Sequence, residues 1–290
     1  MLPQGSTSIK KQLDPKCNSR SIVFYGPQGS GKSLMVEAVA AELGALFINL
    51  SPKTLQGKYT DKAGPTTLIH MIFAVAKDPA YAPVVIHIDS CEEFFQSTKG
   101  KKGKLVDKSG PVRFQKDLLI YKNQALSSLD RVIVIGTTKY PEKADWKLLS
   151  WKGATGKVEK QGFFEMFLHF PYPNYFDRVK IWKMFVHACL EENSMTCGSK
   201  KKYHQQESKI DCGALAKFSE GHTAGDIHKC IQDTCGENNH CFSSNQLTEK
   251  TFLSNLLSKD NDHSQYEEDM SRFNDFSKKV FAMCESKKPH

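Results

Sequence analysis

Gly26-Pro27-Gln28-Gly29-Ser30-Gly31-Lys32-Ser33 satisfies the pattern G-x-x-x-x-G-K-[ST] in full, and the spacing has a mechanical reason. Glycines let the backbone curl until successive N–H groups point inward, which is what a cradle for phosphate oxygens requires. The apolar run Ile22 to Tyr25 leads into the loop, and apolar residues recur at helical spacing from Lys32 to Leu43. The context is therefore strand, loop, helix. The helix adds its N-terminal dipole, which favours a bound anion.

If the anion is ATP, each position has a task. Gly26, Pro27, Gln28, Gly29, Ser30 and Gly31 would wrap the phosphates, Lys32 would neutralise the β- and γ-phosphates, and the Ser33 hydroxyl would ligate Mg²⁺. A second element is then expected: an apolar strand ending in an acid that reaches the metal shell. Val84-Val85-Ile86-His87-Ile88-Asp89 supplies it, with Asp89 as the second candidate for Mg²⁺. His87 lies inside that strand and reads as a packed or hydrogen-bonded sheet residue, since nothing pairs it with a nucleophile.

Working outward, Leu46 to Leu50, Val132 to Ile135 and Phe163 to Phe170 also read as buried strands, and Thr66 to Lys77 and Phe114 to Leu129 as helices. Strands alternating with helices predict an α/β fold with a three-layer parallel sheet. After Pro171 and Pro173 the strand signal ends. Tyr175 to Glu191, Ala214 to Phe218, Gly225 to Thr234, Thr248 to Leu257 and Tyr266 to Ser286 are all helical in pattern. The expected organisation is an extension over 1–20, an α/β domain over 21–172, and a helical lid over 173–290 with a polar insertion near 192–208.

Composition narrows the class. A hydrophobic fraction of 39% and a charged fraction of 25% are ordinary for a globular chain. No apolar run is long enough to span a bilayer, and MLPQGSTSIKKQLDPK lacks the apolar core of a signal peptide, so an intracellular protein with no membrane partner is expected. Nine scattered cysteines read as reduced thiols. The net charge of +8 favours acidic partners, and much of it lies in two runs, Lys99 to Lys108 and Lys200 to Lys202. A solvated surface loop is the plain reading of the first.

The landmarks stand in a definite order: the phosphate loop, Gly57-Lys58-Tyr59, Asp89, Gly136-Thr137-Thr138, and Glu220-Gly221-His222-Thr223-Ala224-Gly225-Asp226-Ile227. That order resembles an AAA+ ATPase domain, with the last stretch similar to its lid-helix signature and Thr138 among the nucleotide-binding positions. More narrowly, Phe47-Ile48-Asn49-Leu50-Ser51, Gly57 to Gly64, Val134 to Pro141 and Tyr172 to Tyr175 resemble the IQ-motif and AAA-domain-containing proteins. This resemblance runs from about residue 20 to about residue 285. It implies ATP and Mg²⁺ as cofactors, the dynein regulatory complex of the ciliary axoneme as setting, and microtubules and dynein as neighbours. The calmodulin-binding IQ motif of those proteins has no counterpart here, so calmodulin is not an expected partner.

Against the AAA+ pattern, three positions on the hydrolytic path depart. The glutamate expected directly after Asp89 is Ser90, whose neutral hydroxyl cannot serve as a base; Glu92 and Glu93 are the nearby candidates to replace it. The sensor-1 asparagine falls on Lys139, which lacks the amide's paired donor and acceptor. The arginine-finger position falls on Phe163 in Gly162-Phe163-Phe164-Glu165, with Arg178, Lys152, Lys157 and Lys160 the nearest substitutes. ATP binding without efficient hydrolysis is the leading expectation, and an active ATPase that remodels a protein is the alternative.

Other features weigh less. Tyr59 falls near the position of a pore-loop aromatic, or is a loop aromatic without that task. His222, His228, Cys230, Cys235, His240 and Cys241 invite a zinc reading, but no C-x-x-C pair occurs. Cys91 has no activating base. Trp146, Trp151, Phe163, Phe164 and Phe167 read as packing, not as a stacking platform, so nucleic acid is not the expected partner despite the positive charge.

Overall fold

The computed structural model describes residues 20–96, 110–125, 130–144, 151–152, 158–159, 162–197, 210–235, 248–257 and 263–285. The basic run of 99–108, Trp146, Lys157, Lys160, His240, Cys241 and residues 198–208 of the expected polar insertion lie outside them; its first residues, 192–197, continue a helix instead of forming a loop.

The expected strands form. They are β1 (Ser21–Tyr25), β2 (Leu46–Leu50), β3 (Val84–Ile88), β4 (Val132–Thr138) and, at the far edge, β7 (Met166–His169), hydrogen-bonded in the order β2-β3-β4-β1-β7. A separate two-stranded ribbon pairs β5 (Trp151–Lys152) with β6 (Val158–Glu159). The three inner pairings are parallel: Leu46 lies opposite Val84, Val84 opposite Val132, and Ser21 opposite Val134. All five residues of β3 are buried, as a central strand covered on both faces must be.

Between the strands stand α1 (Lys32–Glu42), α3 (Gly64–Lys77) and α5 (Gln115–Ala125), close to their expected spans. Two four-residue helices, α2 (Pro52–Leu55) and α4 (Cys91–Phe94), have no periodicity to announce them. The first is set by a capping box: Thr54 N donates to Ser51 Oγ at 3.2 Å, and Ser51 N donates to Thr54 Oγ1 at 3.2 Å. The last strand is shorter than the apolar run that predicts it. Phe163 and Phe164 precede β7 and are fully buried, their rings 4.8 Å apart, with Phe95 4.9 Å from Phe163.

The chain parses into two compact units. One contains β1 and Ser33–Leu168; the other joins Gly26–Lys32 to His169–Lys279. The phosphate loop thus groups with the helical segment, although the sequence alone places it among the strands. The helical unit holds α6 (Tyr175–Cys197), α7 (Cys212–Phe218), α8 (Ala224–Cys235), α9 (Glu249–Leu257) and α10 (His263–Glu285) up to Lys279. Its core gathers Trp182, Leu215, Ile227, Ile231 and Phe252. Arg178 is buried in it: Nε donates to Ala216 O at 2.9 Å and Nη1 to Pro173 O at 2.8 Å, tying α6 to α7. Tyr172 donates to Asp269 Oδ2 at 3.1 Å, fastening α10 to the segment that leads into α6.

No helix among the described residues is long and apolar enough to cross a membrane.

Candidate functional site

The phosphate loop has the backbone its glycines predict. Gly26, Gly29 and Gly31 take φ values of +151°, +79° and +88°, which residues with a Cβ adopt only under strain. A Cβ on Gly26 would lie 2.0 Å from Phe170 O, whereas one on Gly31 would meet nothing within 4 Å. The loop is closed from within, Ser30 Oγ donating to Pro27 O at 2.9 Å. Lys32 is buried at 8% exposure, its Nζ donating to Gly26 O at 2.9 Å, Pro27 O at 2.5 Å and Ser30 Oγ at 3.2 Å. Three neutral acceptors hold a full positive charge here. An anion at this loop would find that charge pre-positioned beside the first turn of α1, with the exposed Ser33 next in the helix. The residues fit a nucleotide phosphate.

The lid-signature segment meets the loop inside the same unit. Gly225 N donates to Gly29 O at 2.9 Å. A Cβ on Gly29 would fall 2.4 Å from Thr223 Oγ1, and one on Gly225 would fall 2.9 Å from Gly29 Cα. Thr223 and Asp226 cap α8: Thr223 N and Oγ1 donate to Asp226 Oδ2 at 2.9 and 2.7 Å. Motif matching finds these residues but not this contact.

Asp89 follows β3, with its N–H given to Leu50 O at 2.9 Å. Its Oδ1 accepts from Ser90 N at 2.9 Å and from Thr137 Oγ1 at 2.8 Å. Ser90 then turns left-handed, φ 48° and ψ 49°, into α4. That turn carries Glu92 to a site with only 5% exposure, where burial pushes its carboxyl above the ordinary range while a hydrogen bond with Thr138 opposes the shift. Thr138 is itself buried and accepts from Tyr140 N at 3.1 Å. Glu93 instead borders a cavity of about 440 Å³ shared with Lys53, Gln56, Thr60 and Arg113. The two candidate glutamates are thus separated by environment.

Comparison with known proteins gives the likeness. The model of the ATPase family associated with various cellular activities (AAA) matches residues 22–160, from β1 through β6. An AAA domain is present over these residues. Dynein regulatory complex protein 11 of Mus musculus is 27% identical over 240 residues, 82% of this chain. Fidgetin-like protein 1 of Drosophila melanogaster is 29% identical over 131 residues, and spastin of Gallus gallus 30% over 128, each match covering less than half of this chain. These matches span 24%, 23% and 19% of the relatives' own lengths, so the chain corresponds to about a quarter or less of each. Among solved structures, the FIGL-1 AAA domain in complex with ADP aligns over 90% of this chain and 78% of its own, with a TM-score of 0.60 at 17% identity. That likeness establishes the AAA fold.

The residues at the positions that depart from the expected hydrolytic pattern have these surroundings. Phe163 has 0% exposure, and the next residue but one, Glu165, accepts Lys122 Nζ at 2.8 Å and Arg20 N at 2.9 Å. The stretch expected to present a finger is committed to packing and to an internal ion pair. Arg178 is committed to carbonyls of its own unit. Lys139 Nζ lies 5.1 Å from the centroid of the Tyr140 ring. Tyr59 keeps 36% exposure at φ 54°, and Arg113 anchors its loop by donating Nη1 to Tyr59 O at 2.8 Å and Nη2 to Lys58 O.

Two members of the thiol and imidazole group, Cys230 and His228, have neighbours of their own. Cys230 Sγ donates to Phe252 O at 3.3 Å in the core, and the His228 ring lies 4.5 Å from that of Phe185. Complete burial pushes the Cys91 thiol up, which holds it uncharged.

Proposed function

We propose that the chain is an ATP-binding AAA domain with a degenerate hydrolysis centre, serving a structural or regulatory role in the dynein regulatory complex of the ciliary axoneme. Nucleotide binding is common ground for either reading of the hydrolysis, because it rests on the AAA match and on the Gly26–Ser33 loop. Lys32 would neutralise the terminal phosphates and the loop amides would orient them. Ser33 and Asp89 would hold Mg²⁺, which shields the phosphate charge when bound.

The observation that carries the degenerate reading is the burial of Phe163. An arginine finger is worth about 10³–10⁵ in rate, and a phenyl ring with 0% exposure supplies neither charge nor reach. A ligand that binds only the folded chain also stabilises it by mass action, so ATP would act as a structural ligand. The axonemal setting is supported by the similarity to dynein regulatory complex protein 11 across most of the chain. Microtubules are the nearest acidic surface in that setting, and the basic run of 99–108 is the segment for them; charge reversal there would abolish co-sedimentation.

A second reading has one observation in its favour. Glu92 is buried, its carboxyl is raised by desolvation, and it is hydrogen-bonded to Thr138. Those are properties of a general base displaced three positions from Asp89. Phosphate release with Mg·ATP, beside a binding titration, separates the two. ATP binding that is lost in Lys32→Ala, with no Lys32-dependent turnover, supports the structural ligand. Turnover lost in both Lys32→Ala and Glu92→Gln supports the ATPase.

A further inference from the structure

Two adjacent parallel strands set four residues on one sheet face. His87 lies opposite Ile135 in the β3–β4 pairing. With a period of two, Asp89 joins His87 on that face and Thr137 joins Ile135. The polar members are linked in series: Thr137 Oγ1 donates to Asp89 Oδ1 at 2.8 Å, and His87 Nε2 lies 3.0 Å from Thr137 Oγ1. An ionised carboxylate only accepts, and a hydroxyl has one proton to give. Thr137 spends its proton on Asp89 and must therefore accept from His87. The Nε2–H tautomer follows from that count.

His87 and Thr137 each have 2% exposure, and His87 Nδ1 is buried without a hydrogen-bond partner. Burying a polar group that leaves one atom unsatisfied costs stability, so packing alone gives no reason for an imidazole here. The Phe47 ring, 5.9 Å away and inclined by 29°, backs the imidazole from β2. The result is a carboxylate with Oδ1 fixed by two donors, Ser90 N and Thr137 Oγ1.

We infer that His87 and Thr137 are positioning residues for Asp89: a buried relay, His87 to Thr137 to Asp89, that fixes the carboxylate for the divalent cation accompanying the nucleotide. This rests on the reading of Asp89 as the magnesium acid. Groups that orient a metal ligand typically govern about 10–100-fold in metal affinity.

The test compares ATP affinity of the full chain in Mg²⁺ with that in EDTA. Thr137→Val, which keeps shape but breaks the relay, should shrink the Mg²⁺-dependent gain about tenfold and leave the EDTA affinity unchanged. Thr137→Ser should keep the gain. His87→Phe should act like Thr137→Val, and His87→Gln, whose amide can donate, should restore most of it. The His87 pair carries the comparison if Thr137→Val does not fold. A wild-type gain in both Thr137→Val and His87→Phe overturns the relay, as does equal loss in Thr137→Val and Thr137→Ser. Failure of the nucleotide reading looks different: wild type would bind ATP no better than Lys32→Ala, and the relay would fall with it.

Discussion

Lys122 Nζ lies 2.8 Å from Glu165 Oε1, while the other oxygen of that carboxylate accepts the backbone N–H of Arg20 at 2.9 Å. One side chain thus ties α5 to the approach to β7 and to the entrance of β1. The lysine is 8% and the glutamate 19% exposed, so the charges are largely withdrawn from water. Lys122→Met should cost about 2 kcal/mol in urea denaturation, because the carboxylate stays behind. Lys122→Met with Glu165→Gln should recover most of that loss. A double variant as unstable as the single one would contradict this.

The contact between Gly29 and Gly225 leaves no room for a methyl group on either residue. A Cβ on Gly225 would meet Gly29 Cα at 2.9 Å and Gly29 O at 3.2 Å, and backbone cannot swing aside. Gly225→Ala should lower stability by about 1–3 kcal/mol and weaken ATP binding. Melting curves with and without ATP measure both effects. Unchanged ATP-induced stabilisation would mean that the loop does not depend on α8.

Glu92 predicts a pH dependence. Its carboxyl is raised by burial from an ordinary value of 4.5, so between that value and the folded one the native state holds a proton that the unfolded state has released. Stability attributable to Glu92 must then decline as pH rises through that window and level off above it. Glu92→Gln should be flatter in pH and more stable than wild type above the window. Denaturation from about pH 4 to about pH 8 reads it; a pH-independent difference would refute the buried-acid account.

Ser90 stores strain at φ 48°, with no side-chain cap to compensate. Ser90→Gly should gain about 0.5 kcal/mol, the relief of a left-handed residue less the entropy of glycine. Ser90→Val should lose about 1 kcal/mol or more, since branching at Cβ worsens the clash. Thermal melts of the pair give the sign, and equal melting temperatures would remove strain from the description of the turn after Asp89.

What was legible in the sequence was local or periodic. The glycine spacing of 26–33 foretold the loop conformation, and apolar runs such as Val84–Ile88 foretold central strands, because one pattern decides each. The four-residue α4 was not legible, since it contains barely one turn and depends on the backbone at Ser90. Phe163 and Phe164 looked like strand residues because burial and β-propensity share a composition; only the meeting with Phe95 separates them. His87 reads from the sequence as packed or hydrogen-bonded in the sheet, and it is both, but its partner Thr137 lies in another strand. The grouping of the phosphate loop with α8 and the spending of Arg178 on Ala216 and Pro173 depend likewise on contacts that no window of sequence contains.

The hydrogen bond from Gly225 to Gly29 also has a consequence in time. A chain made from its N-terminus presents the phosphate loop long before α8 exists. Closing so long a stretch of chain must wait until α8 has been made, and contacts of that span form slowly. The loop therefore acquires this constraint on its shape only once α8 has been made, and a nascent chain halted before Thr223 should not retain nucleotide as a longer one does.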